Sequence, residues 1–176
     1  MLRAGKGDRV ACELLVERHL GRVVTFARRS LGSGSDAEDV AQEVFMRVWA
    51  AAPRWRAGPA RFTTWLYRVA MNVCLDRAKK HEATPADLGE LPDERPDPSA
   101  EVHAADVARH VSAALATLPD SQRTAVTLCL YQGLRHAEAA EVMDLSVEAV
   151  ESLLARARRT MRERLAPVAA GLLKGS

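Results

Sequence analysis

Between His81 and Pro98 the chain sets Pro85, Pro92, Pro96 and Pro98 among Asp87, Glu90, Asp93, Glu94 and Asp97. Proline removes a backbone donor and fixes φ, and carboxylates at this density repel one another, so the interval predicts an extended, flexible linker and no packed element. Whatever folds must do so on either side of it. We place a first domain at residues 1–80, an acidic linker at 81–101 and a second domain at 102–176. Neither side is rich in strand formers: Trp, Phe and Tyr make up 5% of the chain, and Ala, Leu, Val, Arg and Glu dominate. The expected class is all-α, with two small helical domains.

The net charge of +2 conceals a division along the chain. Residues 1–80 carry 15 Lys and Arg against 8 Asp and Glu, residues 81–110 carry 2 against 8, and residues 111–176 carry 8 against 7. Two polyanion-compatible segments are therefore separated by an acidic one. Cys12, Cys74 and Cys129 lie far apart in apolar-periodic stretches, without metal-ligand spacing, and read as buried thiols in a reducing compartment. No apolar run approaches the about 20 residues that cross a bilayer, and Arg3, Lys6, Asp8 and Arg9 leave no hydrophobic leader at the N-terminus. Direct membrane insertion is not expected, and the expected location is the cytoplasm.

In the first domain, Val10, Leu14, Leu15, Leu20, Val23, Val24, Ala27 and Leu31 predict an amphipathic helix from Asp8 to Leu31, ended by Gly32-Ser33-Gly34. Ser35 offers an N-cap, and Asp36, Glu38 and Asp39 suit the positive end of the next helix dipole. From there Ala37, Val40, Ala41, Val44, Phe45, Val48, Trp49 and Ala52 recur at three-and-four spacing until Pro53. A third helix from about Arg61 to Lys80 buries Phe62, Trp65, Leu66, Val69, Ala70 and Val73. Arg61, Thr64, Arg68, Asn72, Asp76 and Lys79 share its other side.

In the second domain, helices are expected over about 102–116 and 121–131, with breaks at Leu118-Pro119-Asp120 and Gln132-Gly133. The stretch from Arg135 to Leu165 has the outline of a helix-turn-helix. A short helix meets a longer one at Asp144-Leu145-Ser146, with Ala137, Ala140, Val142, Leu145, Val147, Val150, Leu153 and Leu154 available for packing. Ser146 can cap the second helix. Glu148, Ala149, Glu151 and Ser152 would then face the major groove, because recognition helices read base edges with their N-terminal residues. Arg156, Arg158 and Arg159 would neutralise phosphates.

Ser35-Asp-Ala-Glu-Asp-Val-Ala-Gln-Glu-Val-Phe-Met-Arg-Val-Trp49 resembles region 2.2 of bacterial RNA polymerase sigma factors. Phe62-Thr-Thr-Trp-Leu-Tyr-Arg-Val-Ala-Met-Asn72 is similar to regions 2.3 to 2.4 of their extracytoplasmic-function (ECF) group. Leu115 to Leu165, through Leu118-Pro119, Arg123, Gly133-Leu134, Glu138-Ala139-Ala140 and Val150, resembles region 4. The likeness runs from Gly7 to about Leu165, in the same order and with a linker between.

The resemblance implies a subunit that directs core RNA polymerase to specific promoters, under the control of an anti-sigma factor. By position, it assigns Asp36, Asp39, Gln42, Glu43 and Arg47 to core polymerase. It assigns Arg61, Arg68, Asn72, Arg77, Lys79 and Lys80 to the upstream promoter element captured during melting, with Asn72 next to the base-capturing loop. Flipping a base out of the stack costs a few kcal/mol, which a pocket with cationic support offsets. Trp65 and Phe62 could stack on single-stranded DNA, but their periodicity favours the core.

One stretch departs from the family. Many members follow the Val at the start of the recognition helix with Lys or Arg and then Ser-Arg, whereas this chain has Val150-Glu151-Ser152-Leu153. A carboxylate repels phosphate and accepts only from bases with an exposed amine, such as cytosine. Either base readout differs here, or the grip on phosphate passes to Arg156, Arg158 and Arg159. A helix-turn-helix regulator that does not join core polymerase would explain residues 111–165 but not the pattern from Asp36 to Asn72. His19, His81, His103, His110 and His136 are scattered, and no phosphate-binding loop or nucleophile elbow is present, so neither catalysis, a metal, a cofactor nor a small-molecule substrate is expected.

Overall fold

The computed structural model describes residues 1–31, 36–56, 58, 61–82 and 101–174. The described residues form α1 (Arg9–Leu31), α2 (Ala37–Ala51), α3 (Phe62–Glu82), α4 (Glu101–Ala116), α5 (Asp120–Val126), α6 (His136–Met143) and α7 (Val147–Lys174). No strand occurs among them. Short 3₁₀ turns precede α1 (Ala4–Lys6) and follow α2 (Ala52–Arg54), and a π-helical turn, Thr127–Tyr131, continues α5. The glycine-serine break after α1, the Ser35 cap and residues 83–100 of the acidic linker lie outside the described residues.

Each helix follows from local chemistry. At the start of α1, Asp8 Oδ1 accepts the Ala11 N–H at 3.1 Å and its other oxygen takes the Arg3 guanidinium at 2.7 Å. The Ala11 N–H, followed by Arg3, holds the Asp8 carboxyl below the usual carboxylate range. Helix α2 buries Ala37, Val40, Ala41, Val44, Phe45 and Val48, the stripe its periodicity predicts. Asp36 stands at its N-cap position, with no side-chain capping bond. Gly5 is fixed by a close approach, since a Cβ there would lie 2.1 Å from the Ala52 carbonyl oxygen. The turn before α1 is thereby pressed against the turn after α2.

Helix α1 departs from expectation over its first half. Val10, Leu14 and Leu20 are exposed, and the buried residues are Val23, Phe26 and Ala27. The apolar stripe runs the length of the helix, but α2 and α3 seal only its C-terminal part. In the second unit, α4, α5 and α6 pack around α7, burying Leu115, Leu118, Val126, Val142, Val150 and Ala157. Leu145 and Val147, expected in that packing, are 42% and 36% exposed because the turn carries them outward. Asp144 ends α6 in the left-handed region (φ 55°), a conformation Asp tolerates better than most residues.

The two units are in contact. Buried residues from α1, α2 and α3 and from α4 to α7 form one continuous apolar cluster, and α3 lies against α6.

Candidate nucleic-acid interface

Three surfaces carry the residues that the sequence singles out. On α2, Gln42 is exposed and Glu43 half-buried, and Glu43 Oε1 accepts from the Arg47 guanidinium at 2.6 Å. Arg47 also stands 3.7 Å from Asp76 of α3. Asp36 and Asp39 face α3 as well, 3.8 and 3.7 Å from the Arg77 guanidinium. The sequence assigned Arg77 to DNA, and the fold turns it onto the carboxylates of α2. A helix stripe gives the side on which a residue lies but not which neighbour packs there.

The other cations of α3 divide into two groups. Asn72, Lys79 and Lys80 are exposed on its C-terminal half. Arg61 pairs with Glu138 of α6 at 3.5 Å, and Arg68 donates to the Glu141 carbonyl of α6. Thr64, between them on the same side, is buried. What the sequence presents as one basic surface is therefore exposed along its length, with its N-terminal cations, Arg61 and Arg68, engaged by α6 and its C-terminal ones free of that contact.

Against Trp65, in the N-terminal half of α3, is a recess of about 590 Å³ lined also by Arg47, Ala50, Ala51, Arg54, Trp55 and Arg56. Trp55 and Trp65 meet edge to face at 4.9 Å, and Phe62 lies 5.6 Å from Trp55 and 6.0 Å from Trp65. Packed aromatic walls with guanidinium groups at the rim suit a planar base on a phosphate backbone. Arg54, Trp55 and Arg56 were missed from sequence. Their signal was Pro53-Arg-Trp-Arg56, an indole between two cations just after a helix stop.

The third surface is the start of α7. Ser146 Oγ accepts the Ala149 N–H at 3.2 Å, so Ser146 caps the helix. The Glu148 carboxyl titrates below the usual range, chiefly through its own backbone N–H and then the Ser146 hydroxyl. Ala149 is half-buried, whereas Ser152, Arg158 and Arg159 are exposed. Glu151 pairs with His136 of α6 at 3.2 Å. Arg156 bonds back to the Ser152 carbonyl at 3.3 Å and its hydroxyl at 3.2 Å.

Cys74 is buried and its thiol is pushed up to about 12, while Cys12 and Cys129 are half-buried free thiols. Among the described residues no group of His, Cys, Asp and Glu could hold a metal ion, and no helix is long and apolar enough to cross a membrane.

The folded chain thus defines a class, an all-helical pair of units with an aromatic, cation-rimmed recess on one and a capped helix-turn-helix on the other. The family model for sigma-70 region 2 matches residues 15–84, and that for sigma-70 region 4 matches residues 109–161. An ECF RNA polymerase sigma-E factor of Haemophilus influenzae is 30% identical, over 94% of this chain and 93% of its own. The ECF sigma factor SigE of Mycolicibacterium smegmatis is 34% identical over 91% of this chain, which spans 65% of that relative's length. Among solved structures, CnrH in complex with the cytosolic domain of CnrY matches at 29% identity and TM-score 0.67, over 94% of both chains. The chain belongs to the ECF group of RNA polymerase sigma factors.

Proposed function

We propose that the chain makes core RNA polymerase promoter-specific, with the first unit (residues 1–80) docking on polymerase and holding the melted strand, and the second (102–176) reading duplex DNA. The observation that carries this is the position of Arg47. It pairs with Glu43 on the solvent edge of α2, approaches Asp76 of α3 and lines the Trp55–Trp65 recess. One guanidinium thus joins the surface assigned to polymerase to the one assigned to DNA, so docking and strand capture are mechanically coupled.

The mechanism needs no bond chemistry. Glu43, Gln42 and Asp39 offer carboxylate and amide groups to a basic partner helix. Asn72, Lys79 and Lys80 hold the upstream strand by its phosphates and base edges, and the recess accepts an unstacked base. Binding free energy gained on the separated strand offsets the cost of separating it. Glu148, Glu151 and Ser152 meet the major groove, with Arg156, Arg158 and Arg159 against the backbone. The chain acts by binding and not as an enzyme, and a polymerase partner implies the cytoplasm.

CnrH was solved with the cytosolic domain of CnrY, and the sigma factor RpoE of Bartonella quintana, a fold match at TM-score 0.69 and 20% identity, was solved with the anti-sigma factor NepR. By analogy, an anti-sigma factor is the partner that controls this chain. Run-off transcription with core polymerase tests the reading. The expected result is initiation at discrete sites, and core polymerase that starts no more selectively with the chain than without it would overturn the proposal.

A further inference from the structure

On the polar side of α2 one large apolar side chain stays in solvent. Met46 is 64% exposed, and no other large apolar residue of α2 is exposed. At 3.6 residues per turn, Asp39, Gln42, Glu43 and Ala50 lie within about 60° of it around the helix axis, so it stands at the middle of the face assigned to polymerase. Its charged neighbours there are held by partners. Glu43 is tied to Arg47 at 2.6 Å, Arg47 approaches Asp76 of α3 at 3.7 Å, and Asp39 approaches Arg77 at 3.7 Å. Trp49, three residues on, is half-buried beside Phe45, with 6.0 Å between the rings. An apolar group inside an ordered polar ring is the arrangement in which one side chain carries much of an interface's binding energy.

Met46 also differs from the other methionines of the chain. Met1, Met71, Met143 and Met161 are partly buried and packed against the apolar cluster. Met46 is the one left largely open to solvent. The thiols are less accessible too, since Cys74 is buried and Cys12 and Cys129 are half-buried. A thiol reacts well only after ionising, whereas a thioether needs no such step. The most accessible sulfur of the chain therefore lies at the centre of its docking face.

We propose that Met46 is a reversible oxidation switch on polymerase docking, with a hydroperoxide as the oxidant. The sulfur lone pair attacks the hydroxyl oxygen of the peroxide. The S–O bond forms as the O–O bond breaks, and the hydroxyl proton passes to the departing oxygen. Sulfur loses two electrons and the peroxide gains two, giving methionine sulfoxide and water or an alcohol. The product sets a strongly polar S=O group where the contact needs an apolar one, and burying it without a hydrogen-bond partner is costly. Methionine sulfoxide reductases restore the thioether. A chain oxidised before docking is thereby kept off polymerase, while in a docked chain the contact shields the sulfur. The inference rests on the reading of α2 as the docking helix.

The test oxidises the free full-length chain with hydrogen peroxide, removes the oxidant, and titrates the labelled chain with core polymerase. Peptide mass mapping reads which methionine has gained oxygen. Each chain is compared with itself before and after treatment, and cooperative melting shows that it remains folded. Met46 should gain oxygen ahead of the other methionines, and affinity should then fall about tenfold, the scale of one central interface side chain. Methionine sulfoxide reductase should restore it. Met46→Leu, which keeps every cysteine and an apolar group of similar size, should respond to neither treatment, and Met46→Gln should bind weakly without oxidant. Another methionine oxidised first, unaltered affinity in chain oxidised at Met46, or an equal loss in Met46→Leu would each overturn the switch. Untreated wild type that does not bind core polymerase would refute the docking reading itself, an outcome distinct from those three because it precedes any oxidation.

Discussion

His136 Nδ1 of α6 lies 3.2 Å from Glu151 Oε1 of α7, tying the first turn of one helix of the helix-turn-helix to the reading edge of the other. Where the family's usual cation is replaced by a carboxylate, the carboxylate thus has a neighbouring imidazole. The pairing leaves one Glu151 oxygen to accept from a base amine and orients it from α6. Glu151→Ala should alter the ranking of promoter variants at one position, and His136→Ala should alter it there too, with the double variant no worse than Glu151→Ala. Selection from a randomised promoter pool checks this. Unchanged ranking in Glu151→Ala would show that the residue is not a reader.

On α2, Glu43→Lys places a cation beside Arg47 and reverses the charge offered to polymerase. Affinity for core polymerase should fall at least tenfold, about 1.4 kcal/mol, with little change in melting temperature because exposed ion pairs contribute little to stability. Titration of labelled chain with core polymerase measures it, and wild-type affinity would remove Glu43 from the docking surface.

Trp55→Ala removes a wall of the recess that Trp65 and Phe62 support. Loss of one stacking platform costs about 1–3 kcal/mol per base. Fluorescence anisotropy with melted-strand oligonucleotides should therefore show weaker binding, with duplex binding by the second unit unaffected.

Gly5→Ala tests the packing of the turn before α1 against the turn after α2. Its Cβ would meet the Ala52 carbonyl at 2.1 Å, and backbone on both sides leaves no flexible side chain to yield. Destabilisation of about 1–3 kcal/mol is expected in denaturant melts, the cost of overpacking.

Two groups set pH limits. The Arg135 N–H, which donates to Glu138 at 2.9 Å, is the chief cause holding the Glu138 carboxyl below its ordinary range, with Arg135 and Arg61 adding to it. Its contribution is complete above the ordinary Glu value and is lost as pH falls through the lowered folded value. The first turn of α6 should therefore fray in acid, visible as faster amide exchange at its N-terminus before global unfolding. Burial raises the Cys74 thiol to about 12. Its contribution is complete below the unfolded thiol value and declines as pH rises toward the folded one, so Cys74 should resist alkylation at neutral pH while the half-buried thiols react sooner.

Short-range chemistry was legible in the sequence. The α2 stripe from Ala37 to Val48, the stop at Pro53, the Asp144 turn and the Ser146 cap each depend on residues within a few positions, where the helical period and capping act directly. The all-helical class and the order of the two units followed from the same signals. What lay beyond them was fixed by contacts between residues far apart in the chain. Period alone marks Tyr67 neither as core nor as surface; its ring is buried against Phe26 of α1 and its hydroxyl is met by Gln132, 65 residues later. Arg77 turns to Asp36 and Asp39, Arg61 and Arg68 to α6, and Val10, Leu14 and Leu20 of α1 stay exposed where the helix is not covered. Sequence pattern assigns a residue to a side of its helix. Which side chains then meet, and which cations remain free for a nucleic acid, only the packing of the helices decided.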